Sequence, residues 1–173
     1  MSQAINLTEP WLRGTLTETP AVQRAVLHAL QAAEEDLTKW CADLTDDEIQ
    51  QRPAGLPSVA FHLRHIPGSI DRLLTYAEEQ ELSAGQLEAL KSESSGVISV
   101  REALAALSSA LQSFAERILW LDPAEFEEPR FVGRRRMPTT VGGLLVHVAD
   151  HTQRHVGQAI ATAKVLVAGR STA

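Results

Sequence analysis

TTVGGLLVHVADHTQRHVGQAIATAKVLV, residues 139–167, reads as one long helix. Val141, Leu145, Val148, Thr152, Ala159 and Leu166 recur at three-, four- and seven-residue steps, the stripe that a helix buries. Thr139 or Thr140, directly after Pro138, supplies an N-cap. Gly169 is expected to stop the helix. The same stretch carries His147, His151 and His155 at successive i, i+4 positions. Residues four apart are offset by only ~40° and ~6 Å of rise, so two such imidazoles can grip one metal ion. His155 falls inside the apolar stripe and His151 at its shoulder. His147 lies further round, at the boundary.

A helix with such a stripe needs partners, and the chain offers three. The first runs from about Pro20 to Ala42, with Thr19 as N-cap and Val22, Val26, Ala29, Ala33, Leu37 and Trp40 on one face. His28 lies off that face and reads as a surface residue. The second starts at the N-cap Ser58 and buries Val59, Leu63, Ile66, Ile70 and Leu73. Pro67 sits in its interior, where the missing N–H and the ring clash cost ~3 kcal/mol, so a kink or bulge is expected at 63–67. The third keeps Val100, Leu104, Leu107, Leu111, Phe114, Ile118 and Leu121 in a heptad and ends before Asp122-Pro123.

Between the second and third lies a polar Glu- and Ser-rich crossover, 78–96, with a short helix at 83–91. Residues 123–138 read as a loop. The fold expected is all-α, a four-helix bundle with a long polar connection between its second and third helices. It forms one domain over 1–173, with a lead-in segment at 1–19 whose Trp11 and Leu12 dock on the bundle, and a frayed tail at 168–173.

Composition narrows the function. The chain has 173 residues, enough for one real core. Hydrophobic residues make up 44% but aromatics only 5%, a mix that favours helices. The formal net charge of −6 argues against nucleic acid as a partner, since phosphate binding needs clustered positive charge. The run Arg134-Arg135-Arg136 is too short to reverse this and reads as a solvated loop. No apolar run reaches the ~20 residues of a membrane span. The N-terminus lacks the basic and apolar regions of a signal peptide. The single Cys41 rules out an internal disulfide and a Cys-rich zinc site, so a cytoplasmic setting is expected. Trp40 and Trp120 end apolar stripes and read as core or dimer-interface residues. The apolar Trp11 and Phe131 make a homodimer the expected assembly.

Buried histidines lose solvation and require partners. A pair at i, i+4, with His62 and His65 on a second helix beside a proline, points to a shared cation. Three nitrogen ligands with open positions is the pattern of a catalytic metal site. On the helical wheel His62 points closer to the apolar stripe than His65, so either could be the third ligand. Asp150 could orient an imidazole, though a surface position suits it better. No Gly-rich phosphate loop, serine-nucleophile motif or obvious general base is present.

The segments SVAFHLRHIPGSIDRL (58–73) and LLVHVADHTQRHVGQ (144–158) resemble the two signature blocks of the DinB family. The second, with its H-T-x-x-H-x-G-Q pattern, is the more specific, and the resemblance extends over about residues 20–167. It implies a four-helix bundle, commonly homodimeric. It implies a divalent metal, zinc or nickel, on one histidine of the second helix and the H-x3-H pair of the fourth. Carried onto this chain, the ligands are His65, His151 and His155. The implied activity is a hydrolase, or an S-transferase that uses a low-molecular-weight thiol, acting on a small-molecule substrate. The competing expectation is a non-catalytic, stress-related or ligand-binding bundle whose metal is structural or vestigial.

Overall fold

The computed structural model describes residues 8–170. Its long elements are α1 (Ala21–Cys41), α2 (Val59–Ala77), α4 (Val100–Trp120) and α5 (Val141–Arg170), with a short α3 (Ala84–Ser92) in the crossover. α1 packs on α4 and α5, and α2 packs on the same two, so the four long helices form a closed ring of neighbours. Val26, Leu30, Ala33 and Leu37 of α1, Leu63, Ile66, Ile70 and Leu74 of α2, Leu107, Leu111 and Ile118 of α4, and Leu145, Val148, Val156 and Ala159 of α5 share one buried core. Most of these lie on the stripes that the three- and four-residue spacings mark, to which the structure adds Leu30, Leu74 and Val156. Among the described residues no helix is long and apolar enough to cross a membrane.

The ends of the helices are set by particular side chains. Ser58 accepts from the Phe61 amide at the start of α2, and Ser99 with Glu102 forms a capping box at the start of α4. Asp46 adds a second acceptor there, for the Val100 amide at 2.8 Å. At the other end of α4, buried Gln23 donates to the carbonyls of Ile118 (2.7 Å) and Leu121 (3.0 Å), where the helix's own ladder leaves Ile118 only a long 3.4 Å bond from the Leu121 amide. Thr140, rather than Thr139, caps α5, accepting from the Gly143 amide at 3.0 Å.

Several expectations need correction. α1 begins at Ala21 behind Pro20, with no side-chain cap from Thr19. α2 runs as continuous α-helix through Pro67, without a bulge. The burial of Leu63, Ile66, Ile70 and Leu74 contributes about 1.5–3 kcal/mol each, which outweighs the ~3 kcal/mol cost of the proline. α5 does not stop at Gly169, because Arg170 forks onto both carboxylate oxygens of Glu48 at 2.5 Å and holds the last turn. The remainder of the tail, 171–173, and residues 1–7 of the lead-in lie outside the described residues.

Trp11 and Leu12 are exposed, and the lead-in docks instead through buried Pro10 and an Arg13–Glu35 fork at 2.6 and 2.7 Å. That segment covers His28, which is buried with Nε2 3.1 Å from Thr15 Oγ1, rather than being a surface residue. The wheel of α1 alone could not show a cover supplied by residues before it. Trp120 is 87% exposed and Trp40 borders on exposed, stacked under Lys164, so neither is core. Residues expected as a loop hold a hairpin, β1 (Pro129–Val132) antiparallel to β2 (Met137–Thr140), turned through Gly133 and Arg136 at positive φ. Four-residue strands with a proline in each carry too little alternation to be read from sequence.

Candidate metal centre

α2 and α5 cross with their histidines facing each other. His65, His151 and His155 each bring one ring nitrogen into a group whose atoms lie within 4.8 Å of one another. His65 Nε2 stands 3.0 Å from His151 Nε2. Phe61, one turn before His65, stacks on its ring at 5.1 Å and meets the His155 ring edge-on at 6.3 Å, walling the site. His147 stays half-exposed, its ring 5.2 Å from that of His151, and Asp150 pairs on the surface with Arg154.

The nitrogens are prepared to act as lone-pair donors. The His65 ring donates from Nδ1 to Glu93 Oε2 at 2.6 Å, which places a proton on Nδ1 and turns Nε2 toward His151. Burial raises the Glu93 pKa, but hydrogen bonds from His65 and Arg72 outweigh it and hold the carboxyl below its usual range. Burial, then the nearby His155 and His65, depress His151 to about 4, so it is neutral at pH 7. His155 is lowered for the same main reason, burial, with His65 and Arg154 adding to it.

Glu93 escaped the reading of the sequence. It sits in the polar SESSG stretch after α3, where no periodicity marks it. α2 nonetheless builds a seat for it from one face: Arg64 Nε donates to its carbonyl (3.2 Å), His65 and Arg72 bind its carboxylate, and Gly68 lies between them. A Cβ on Gly68 would stand 2.6 Å from Glu93 Oε1 and 3.0 Å from Arg72 Nη1. The positions 64, 65, 68 and 72 form a helical spacing that could have pointed to a partner, though not to which one.

The residues fit a divalent metal. Two nitrogens on one tetrahedral ion at ~2.1 Å sit about 3.4 Å apart, a few tenths of an ångström beyond the observed 3.0 Å His65–His151 separation. A carboxylate behind a ligating imidazole is the usual outer-shell arrangement, fixing tautomer and raising basicity. Residues 29–159 match the sequence profile of the DinB superfamily. The chain belongs to the DinB superfamily. No curated protein and no solved structure matches it. The two histidine-bearing segments that resemble the DinB blocks are those that α2 and α5 bring face to face. His62 lies deeper than His65, as its place on the wheel requires, and stands behind His155 rather than within the group of three.

Proposed function

We propose that this DinB superfamily member is a four-helix-bundle metalloenzyme that holds zinc or nickel on His65, His151 and His155. In this reading it acts on a small molecule as a hydrolase or as an S-transferase using a low-molecular-weight thiol. The observation that carries the reading is the convergence of three histidine nitrogens, one backed by a buried carboxylate. When bound, such an ion supplies Lewis acidity, which lowers the pKa of a coordinated water or thiol toward neutrality. His65, His151 and His155 bind it, and Glu93 orients His65. Phe61 excludes water from one side. Because the chain supplies three ligands and Cys41 is buried in the core, positions remain for a water or thiol.

The alternative is a structural or vestigial metal in a non-catalytic, stress-related or ligand-binding bundle. Metal analysis and activity together separate the two. The enzyme reading expects about one zinc or nickel per chain, lost in the His65→Ala, His151→Ala, His155→Ala triple variant. It also expects thiol consumption or ester hydrolysis that needs the ion. Stoichiometric metal without turnover of electrophiles or esters favours the alternative, and metal retained by the triple variant sinks both. A homodimer is supported by exposed Trp11, Phe131 and Met137, and light scattering decides it. A cytoplasmic setting is supported by the single cysteine, and nothing in the site calls for nucleic acid.

A further inference from the structure

His62 is fully buried, with no accessible surface. Its Nδ1 lies 3.1 Å from Nδ1 of His155, so one of the two nitrogens donates to the other. Its Nε2 is buried with no hydrogen-bond partner, and it is the one side-chain nitrogen or oxygen so placed among the described residues. Buried polar atoms are nearly always satisfied, so an orphan calls for an explanation. For packing alone a leucine would serve this position better than an imidazole with an unsatisfied nitrogen.

The metal reading of the site supplies the explanation, and the inference rests on that reading. His155 has two ring nitrogens, and Nδ1 is engaged by His62. Nε2 is therefore the nitrogen left for an ion, and it must be unprotonated. The ring proton of neutral His155 then sits on Nδ1 and is donated to Nδ1 of His62. His62 accepts there and carries its own proton on Nε2, the orphan atom. The opposite choice, His62 donating, would put the proton on Nε2 of His155 and close that nitrogen to a metal.

We propose that His62 is a positioning residue which, by accepting from Nδ1–H of His155, fixes the tautomer and ring orientation that expose His155 Nε2 to the metal. It does for His155 what Glu93 does for His65. The two differ in charge. The neutral imidazole leaves the site one negative charge poorer than a second carboxylate would, and it has to be held in an apolar interior to do so.

The test measures zinc affinity by competition with a chromophoric chelator, cobalt(II) absorption, and melting of the metal-free chain, for wild type, His62→Leu and His62→Asn. Loss of an outer-shell partner costs 10–100-fold in affinity. His62→Leu is expected to bind zinc that much more weakly while melting, metal-free, close to wild type, since loss of the orphan nitrogen offsets the partner lost by His155 Nδ1. A merely structural role would lower both. Asn places its side-chain oxygen near the position of Nδ1, so His62→Asn is expected to recover most of the affinity and the cobalt spectrum. Wild-type affinity in His62→Leu overturns the proposal. So does abolished binding in His62→Leu with binding kept in His65→Ala, because His62 is then itself a ligand. Should His62→Leu not fold, His62→Asn and His62→Gln decide, since only Asn sets its oxygen at Nδ1, and equal affinities overturn the proposal. Wild type that binds neither zinc nor cobalt refutes the metal reading instead.

Discussion

Gly68 matters for what it lacks. An alanine in mid-helix should stabilise α2 by ~1 kcal/mol relative to glycine. Here its Cβ would enter the space of Glu93 Oε1 and Arg72 Nη1, at 2.6 and 3.0 Å. Arg72 could swing away, but Glu93 is tied by its backbone to Arg64 and has little room to retreat. Gly68→Ala is therefore expected to lower the melting temperature and weaken zinc binding together. Gly157 in α5 has nothing within 4 Å of a built Cβ, so Gly157→Ala should gain up to ~1 kcal/mol. Denaturant melts of the two variants make the comparison, and a stabilised Gly68→Ala would remove the argument for a glycine seat. Glu93 itself is tested by Glu93→Gln. The amide still accepts from His65 but carries no charge, so the ligand becomes less basic. Zinc affinity is expected to fall about tenfold or more, within the 10–100-fold range for such partners, as read by chelator competition. Unchanged affinity would leave Glu93 as a structural partner of Arg72 alone.

The long helices were legible because each carries a strong stripe, and the start of α2 because Ser58 is a clear cap. The facing of α2 and α5 was legible only in part. Periodicity showed which way His151 and His155 point, but it placed His62 nearer the core than His65 and could not say which depth a metal would need. The resemblance in the signature blocks chose His65, and depth explains the choice geometrically: His62 is buried past the group, His65 at its level. Glu93, the burial of His28 and the hairpin were not legible. The hairpin's two short strands carry too little alternation to be read, and Glu93 and His28 depend on contacts with segments elsewhere in the chain. The same holds for Gln23, a polar residue on a buried face that reads as a blemish until α4 ends against it. Gln23→Ala takes the side-chain donor from the carbonyls of Ile118 and Leu121, leaving Ile118 only the 3.4 Å bond from the Leu121 amide. The loss is expected to be about 1–3 kcal/mol by equilibrium unfolding. A cost near zero would mean that water replaces the amide at the end of α4.

Gathering neutral histidines between two helices makes the stability of the entire chain depend on pH. Burial, with help from His155 and His65, holds His62 near 4, and His151 stands near 4 for like reasons. An unfolded chain binds protons at its histidines with a pKa of about 6.5. Between roughly pH 6.5 and 4 the unfolded state therefore carries more protons than the folded one. Stability rises with pH across that window and is lost as pH falls through it. Glu93 adds to this at the acid end, because a carboxyl held low in the fold contributes stability that disappears as it protonates. Metal-free protein is thus expected to melt at a nearly constant temperature from pH 7 to 8, then at steadily lower temperatures from about pH 6.5 to 4. His62→Leu removes one buried histidine and should flatten the slope by up to one proton. With zinc bound the decline should be steeper, because protons then compete for the ligand nitrogens as well. Calorimetry of chelator-treated and zinc-loaded protein over pH 4–8 reads all three slopes. A metal-free melting temperature that is flat from pH 7 down to 4.5 would mean the histidines between α2 and α5 are solvated, and the site would lose the dry character on which the proposed metal binding depends.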